Sequence, residues 1–91
     1  MEEKFILAWE TARKKAEAAG IRLRPLTLDL KTAKRFLSGN RPSDGFYSLA
    51  DMGRLELSLE ALAVQKQFTP LFTDQEANNA LDRLLEVGYR F

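Results

Sequence analysis

At 91 residues, 45% hydrophobic and 30% charged, the chain has the composition of one ordinary globular domain, neither disordered nor membrane-spanning. It holds no cysteine and no histidine, which excludes disulfides, thiolate or imidazole metal sites, and thiol or imidazole catalysis. The net charge is +1, but residues 1–10 carry −2, residues 11–41 carry +7 and residues 42–91 carry −4. Such asymmetry suits steering of a polyanion or an acidic partner to one side, and equally suits plain solvated helix faces.

The acidic start, Met1-Glu2-Glu3-Lys4, is not that of a signal peptide, and the longest apolar run, Phe5 to Trp9, is far below the ~20 residues of a membrane span. The expected compartment is the cytoplasm. Residues 2–19 read as a helix, with Phe5, Ala8, Trp9, Ala12, Ala16 and Ala19 on one stripe. Arg13 and Lys14 lie off that stripe and are candidate contacts for a partner. Gly20 offers a left-handed cap, with Ile21 placed for the accompanying apolar contact. Ile21-Arg22-Leu23-Arg24 alternates until Pro25 interrupts it. A short two-strand clip joining 21–24 to 87–91, where Val87, Tyr89 and Phe91 also alternate, is expected.

A second helix is expected over 28–38, capped by Thr27 or Asp29. Leu30, Ala33, Phe36 and Leu37 point inward, and Lys31, Thr32, Lys34, Arg35 and Ser38 face water. Gly39-Asn40 ends it, and Arg41-Pro42 stops its continuation. Ser43 is expected to cap a helix over 44–53 that buries Phe46, Leu49 and Ala50. Ser58 would cap another over 58–67, although the apolar stripe also allows one long helix weakened at Gly53. After the break at Thr69-Pro70, Thr73 and Glu76 form a capping box for a last helix over 74–87. That helix buries Ala77, Ala80, Leu81, Leu84 and Leu85. The fold class is therefore all-α, a bundle of four to five helices in a single domain covering 1–91.

The glycines occur singly and read as caps and turns, so no phosphate-cradling loop is present. No serine has a base of the usual kind nearby, and no lysine sits in an apolar setting, so an enzyme is not expected and no cofactor is called for. One longer pattern stands out. Lys34-Arg35-Phe36-Leu37-Ser38-Gly39-Asn40-Arg41-Pro42-Ser43, then Leu49-Ala50-Asp51, then Leu57-Ser58-Leu59-Glu60-Ala61-Leu62, resembles the second half of Cro/CI-type helix-turn-helix domains. In that family a recognition helix runs into a Gly-Lys/Arg-x-Pro-Ser turn. The resemblance implies Lys31, Thr32 and Arg35 on the exposed face of a recognition helix, with Lys34 beside them, and Asn40 and Arg41 at phosphates.

Between Gly20 and that helix, however, lie only Ile21 to Thr27, broken by Pro25, so the helix that crosses the DNA backbone has no counterpart. Protein binding is accordingly the preferred expectation. The chain would be a small regulator of transcription acting on a transcription factor or other regulatory protein. Its function would resemble that of small antiactivators of the QseM kind, which restrain activators of bacterial mobile elements. Tyr47, Leu55 and Leu59 are the candidate exposed apolar contacts. Sequence-specific DNA binding is the alternative, and a structural role in a small complex is a third.

Overall fold

Glu2–Ala18 forms α1, opened by Glu2 and Glu3 at its positive end. The computed structural model describes residues 2–25, 27–39, 41–43 and 45–89. Phe5, Trp9, Ala12 and Ala16 are the buried stripe of α1. Two hydrogen bonds end the helix: Gly20 N–H to Glu17 O and Ile21 N–H to Ala16 O, with Gly20 at φ +97°. This is the left-handed glycine cap that the sequence predicts, and it leaves Ile21 buried.

The remaining helices are α2 (Leu30–Ser38), α3 (Phe46–Asp51), α4 (Leu59–Ala63) and α5 (Asp74–Glu86), with 3-10 turns at Leu55–Leu57 and Thr69–Leu71. This is the all-α bundle expected. Asp29, not Thr27, caps α2, accepting from Thr32 N–H at 2.8 Å. Ser58 caps α4 through Ala61 N–H, and Thr73 with Glu76 completes both bonds of the capping box on α5.

Gly53, at φ +70°, decides between one long helix and two. It closes α3 with Gly53 N–H to Ala50 O and Arg54 N–H to Leu49 O. The helix after it is shorter than the expected 58–67, because the chain turns away after Ala63. Those turns drop Phe68 edge-on against Phe5, with ring centroids 5.3 Å apart, and Phe72 meets Phe5 at 5.2 Å. Phe5 is fully buried at this aromatic junction, where such a side chain contributes about 1.5–3 kcal/mol.

Every residue of α4 is buried, Leu59, Glu60, Ala61, Leu62 and Ala63 alike, so this short helix runs through the middle of the core. Its burial overturns one expectation about surface. Leu59 is 2% exposed and Leu55, in the 3-10 turn, is 6% exposed. The break at Gly53 turns Leu55 inward, where a continuous helix would have held it outside. Leu85, read as core, is 55% exposed. Ser43 does not cap α3 either: Gly45 holds that position, without a side-chain hydrogen bond.

The expected clip between 21–24 and 87–91 does not form among the described residues, which contain no strand. Ile21 N–H is committed to Ala16 O and Tyr89 N–H to Leu84 O, so helix-ending turns use two of the amides a ladder would need. Arg90 and Phe91 lie outside the described residues. No helix is long and apolar enough to cross a membrane among those described.

Candidate binding surface

The surface grows out of the C-terminal end of α2 and the turn that follows it. A helix end leaves carbonyls without partners, and here α5 supplies the donors. Arg83 Nη1 donates to Phe36 O at 3.0 Å, Arg83 Nη2 to Gly39 O at 2.6 Å, and Asn79 Nδ2 to Leu37 O at 2.9 Å. The same guanidinium lies 3.3 Å from Glu60 Oε2. Glu60, fully buried on α4, also accepts from Ser43 N–H at 2.8 Å and from Ser43 Oγ–H at 2.6 Å. Ser43 is thus the anchor of the turn after α2. The turn is held at Gly39 by Arg83 and at Ser43 by Glu60, and no buried side-chain polar atom among the described residues lacks a partner.

Glu60, Arg83 and Asn79 were not singled out by sequence reasoning. The available signal was a lone acid inside Leu-Glu-Ala-Leu-Ala, since a carboxylate on an otherwise apolar helix needs a partner once buried.

On α2, Lys31 and Arg35 are exposed and Thr32 is half-buried. Thr32 holds the Asp29 carboxyl below its ordinary range by hydrogen bonding, with the charges of Arg35 and Lys31 adding to the effect. Lys34 is not a free surface cation. Its Nζ is 2.9 Å from Glu76 Oε1 and 5.6 Å from the centre of the Phe72 ring. Burial opposes the charge on Glu76. Hydrogen bonds from Thr73 N–H and from Lys34, with the lysine's charge, outweigh it and hold the carboxyl below 4.5.

The unfolded chain therefore takes up that proton at a higher pH than the native one. The contribution of Glu76 is fully present above pH 4.5 and is lost as pH falls through the lower folded value. In urea titrations at a series of acid pH values, Lys34→Met should show a smaller acid-induced loss than the wild type, by up to about 1 kcal/mol for a pair of which one member is part-exposed. Equal losses in the two proteins would show that Lys34 does not act on Glu76.

Beyond the anchored Ser43 the chain forms a shallow groove lined by Arg41, Pro42, Gly45, Phe46, Tyr47 and Ser48. Arg41 is exposed, and Tyr47 is 59% exposed, its ring edge-on to the buried Phe46 at 5.5 Å. Asn40 lies outside the described residues. Gly45, at φ +78°, is packed against by Ile21 and Leu23, whose side chains lie where a Cβ on Gly45 would stand.

The other predicted contacts are dispersed. Arg13 is half-buried and its Nη2 donates to Arg24 O at 2.7 Å, tying the segment 21–25 to α1. Lys14 is exposed and pairs with Glu10 at 3.2 Å. Leu55 and Leu59 belong to the core and do not reach the surface. Exposed apolar side chains outside the predicted contacts are Leu7 and Met52, which the sequence reading passed over, and Leu85, which it assigned to the core. Where a helix-turn-helix would place its DNA-crossing helix, the described residues between α1 and α2 are not helical.

No family model, curated protein or solved structure matches this chain.

Proposed function

We propose that this protein is a small, non-enzymatic regulator of transcription that acts by binding another protein, as an antiactivator or modulator of a transcription factor. The observation that carries the binding part is Tyr47, a large side chain left 59% exposed on a short helix beside exposed Arg41 and over a groove. Tyrosine and arginine are the residue types on which interface energy concentrates. The Glu60–Ser43 and Arg83–Gly39 hydrogen bonds hold the groove's turn in place, and a preordered surface loses less entropy on docking. The transcriptional part rests on the resemblance of residues 34–62 to half of a Cro/CI domain.

Affinity purification from the source cell with the wild type and with Tyr47→Ala tests the reading. One dominant protein should be recovered, and the alanine variant should weaken its binding by about 30-fold, the equivalent of ~2 kcal/mol for a central aromatic contact. Recovery that does not depend on Tyr47, or recovery of nucleic acid alone, would overturn it.

Direct DNA binding is the second reading. It is favoured by Lys31 and Arg35, exposed one helical turn apart on α2, with Arg41 beyond them. It requires affinity for duplex DNA that falls steeply with salt and is abolished by Arg35→Glu. A titration against pooled genomic fragments at low salt that shows no binding would dispose of it.

A further inference from the structure

We infer that the outward side of α5 docks a basic, amphipathic helix of the protein partner, with Leu81 and Leu85 against its apolar face and Asp82 and Glu86 against its cations. The inference rests on the protein-binding reading and adds a second contact surface and the chemistry of what it meets. Its basis is the part of α5 that the bundle leaves uncovered. Glu76, Ala80 and Leu84 are the buried row of this helix. Leu81 and Leu85 each follow a member of that row, and so stand about 100° further round the helix. Leu81 is half-buried and Leu85 is 55% exposed. The apolar surface of α5 is therefore wider than the bundle covers. Two leucines four residues apart make a ridge of the kind that packs against another helix.

The next row carries the charge. Asp82 and Glu86 are exposed, and both line a shallow concavity with Gly39, Asn79 and Arg83. The two carboxylates stand four residues apart, where like charges repel, and neither has an ion pair among the described residues. Among those residues Arg83 is the one cation lining the concavity. Its guanidinium is committed to Glu60 and to the carbonyls of Phe36 and Gly39. Gly39 and Glu86 also mark the C-terminal ends of α2 and α5, whose dipoles add partial negative charge there. Lysine and arginine side chains of a partner meet uncompensated negative charge on this face, and a phosphate chain is repelled by it.

The place of this face suits the partner of the Tyr47 groove. Gly39 lines the concavity and Arg41 lines the groove, so a single turn separates the two. A helix rich in lysine and arginine is what many DNA-binding proteins hold against phosphate. A transcription factor docked on α5 through such a helix would have that surface covered.

Fluorescence anisotropy tests this with three labelled peptides of about fifteen residues, long enough for helix formation. The first carries leucines on one helical face and lysines and arginines beside them. The second has Gln for every cation, and the third has Glu. The basic peptide should bind, more weakly as salt rises, and the other two should bind at least about tenfold more weakly. Asp82→Lys and Glu86→Lys should each weaken the basic peptide by about three- to tenfold, and Leu85→Ser by about threefold or more. Glu17→Lys, an equal change of charge at an exposed position on α1, should leave it unchanged. Circular dichroism of each variant separates lost binding from lost folding.

Equal binding of the Gln peptide, an effect of Glu17→Lys as large as that of Asp82→Lys, no loss with Leu85→Ser, or no binding of the basic peptide would each overturn the inference. A salt-sensitive dimer of the protein alone in gel filtration, lost in Asp82→Lys, would assign the face to a second copy and overturn it too. If the purification still recovers a Tyr47-dependent protein, only the role of α5 falls. If it recovers none, the protein-binding reading itself has failed.

Discussion

Glu60→Ala should lower stability by about 3–5 kcal/mol, close to the whole margin of a domain this size. The carboxylate is fully buried and accepts from three donors on two other parts of the chain. Removing it strands Ser43 N–H, Ser43 Oγ–H and one side of the Arg83 guanidinium, each of which loses a partner where water does not enter freely. Glu60→Gln keeps the shape and an acceptor for Ser43, so it should be the milder change, losing about 1.5–3 kcal/mol.

Arg83→Met should be intermediate, because that side chain retains 11% exposure, but it also uncovers the carbonyls of Phe36 and Gly39. Urea unfolding of the two single variants and of Glu60→Ala/Arg83→Met closes a double-mutant cycle. A coupling of about 1–3 kcal/mol is expected for groups that share one network. Strict additivity would mean that Glu60 and Arg83 act separately.

The second large effect is expected at Gly45. An alanine there would hold its Cβ 2.7 Å from Leu23 Cδ2 and 3.1 Å from Ile21 Cγ2, at a φ of +78°. The left-handed backbone costs about 1–2 kcal/mol for a residue with a side chain, and forcing two packed residues apart adds about 1–3 kcal/mol. Gly45→Ala should therefore cost about 2–5 kcal/mol in thermal or urea unfolding.

Gly53→Ala is the control, because it shares the left-handed backbone but has no atom within 4 Å of the new Cβ. Its loss should stay near about 1–2 kcal/mol. A loss at Gly45 no greater than that at Gly53 would show that Ile21 and Leu23 yield easily. Where they do not yield, the strain falls on the backbone of Gly45 in the groove.

Among the residues of the candidate surface, Tyr47, Arg41, Lys31 and Arg35 could be placed from the sequence as exposed, because each lies on the polar side of a short apolar pattern or in a turn. Lys34 shows where such reasoning stops. Its position on the polar face of α2 is correct, yet Glu76 and Phe72, some forty residues further on, occupy it. Leu55 and Leu59 fail for a related reason. Helical periodicity assigns sides only while the helix continues, and the break at Gly53 changes the direction of everything after it.

By itself the sequence determined most of the helices and several of their ends: the glycine cap on α1, a cap on α2 at Thr27 or Asp29, Ser58 as the cap of a helix following a break at Gly53, and the Thr73–Glu76 box on α5. Those signals join residues three to five positions apart, and the chain forms them wherever the helix starts or stops. Only the tertiary structure decided that Ser43 anchors a turn and does not cap a helix, that Glu60 is its partner, and that Ile21 and Leu23 pack against Gly45 and form no strand pairing with the described residues 87–89. Each depends on groups separated by 17 or more positions, whose meeting is set by how the helices pack around α4. A buried carboxylate and the donors that satisfy it carry no shared spacing in the sequence, because their match is made in space.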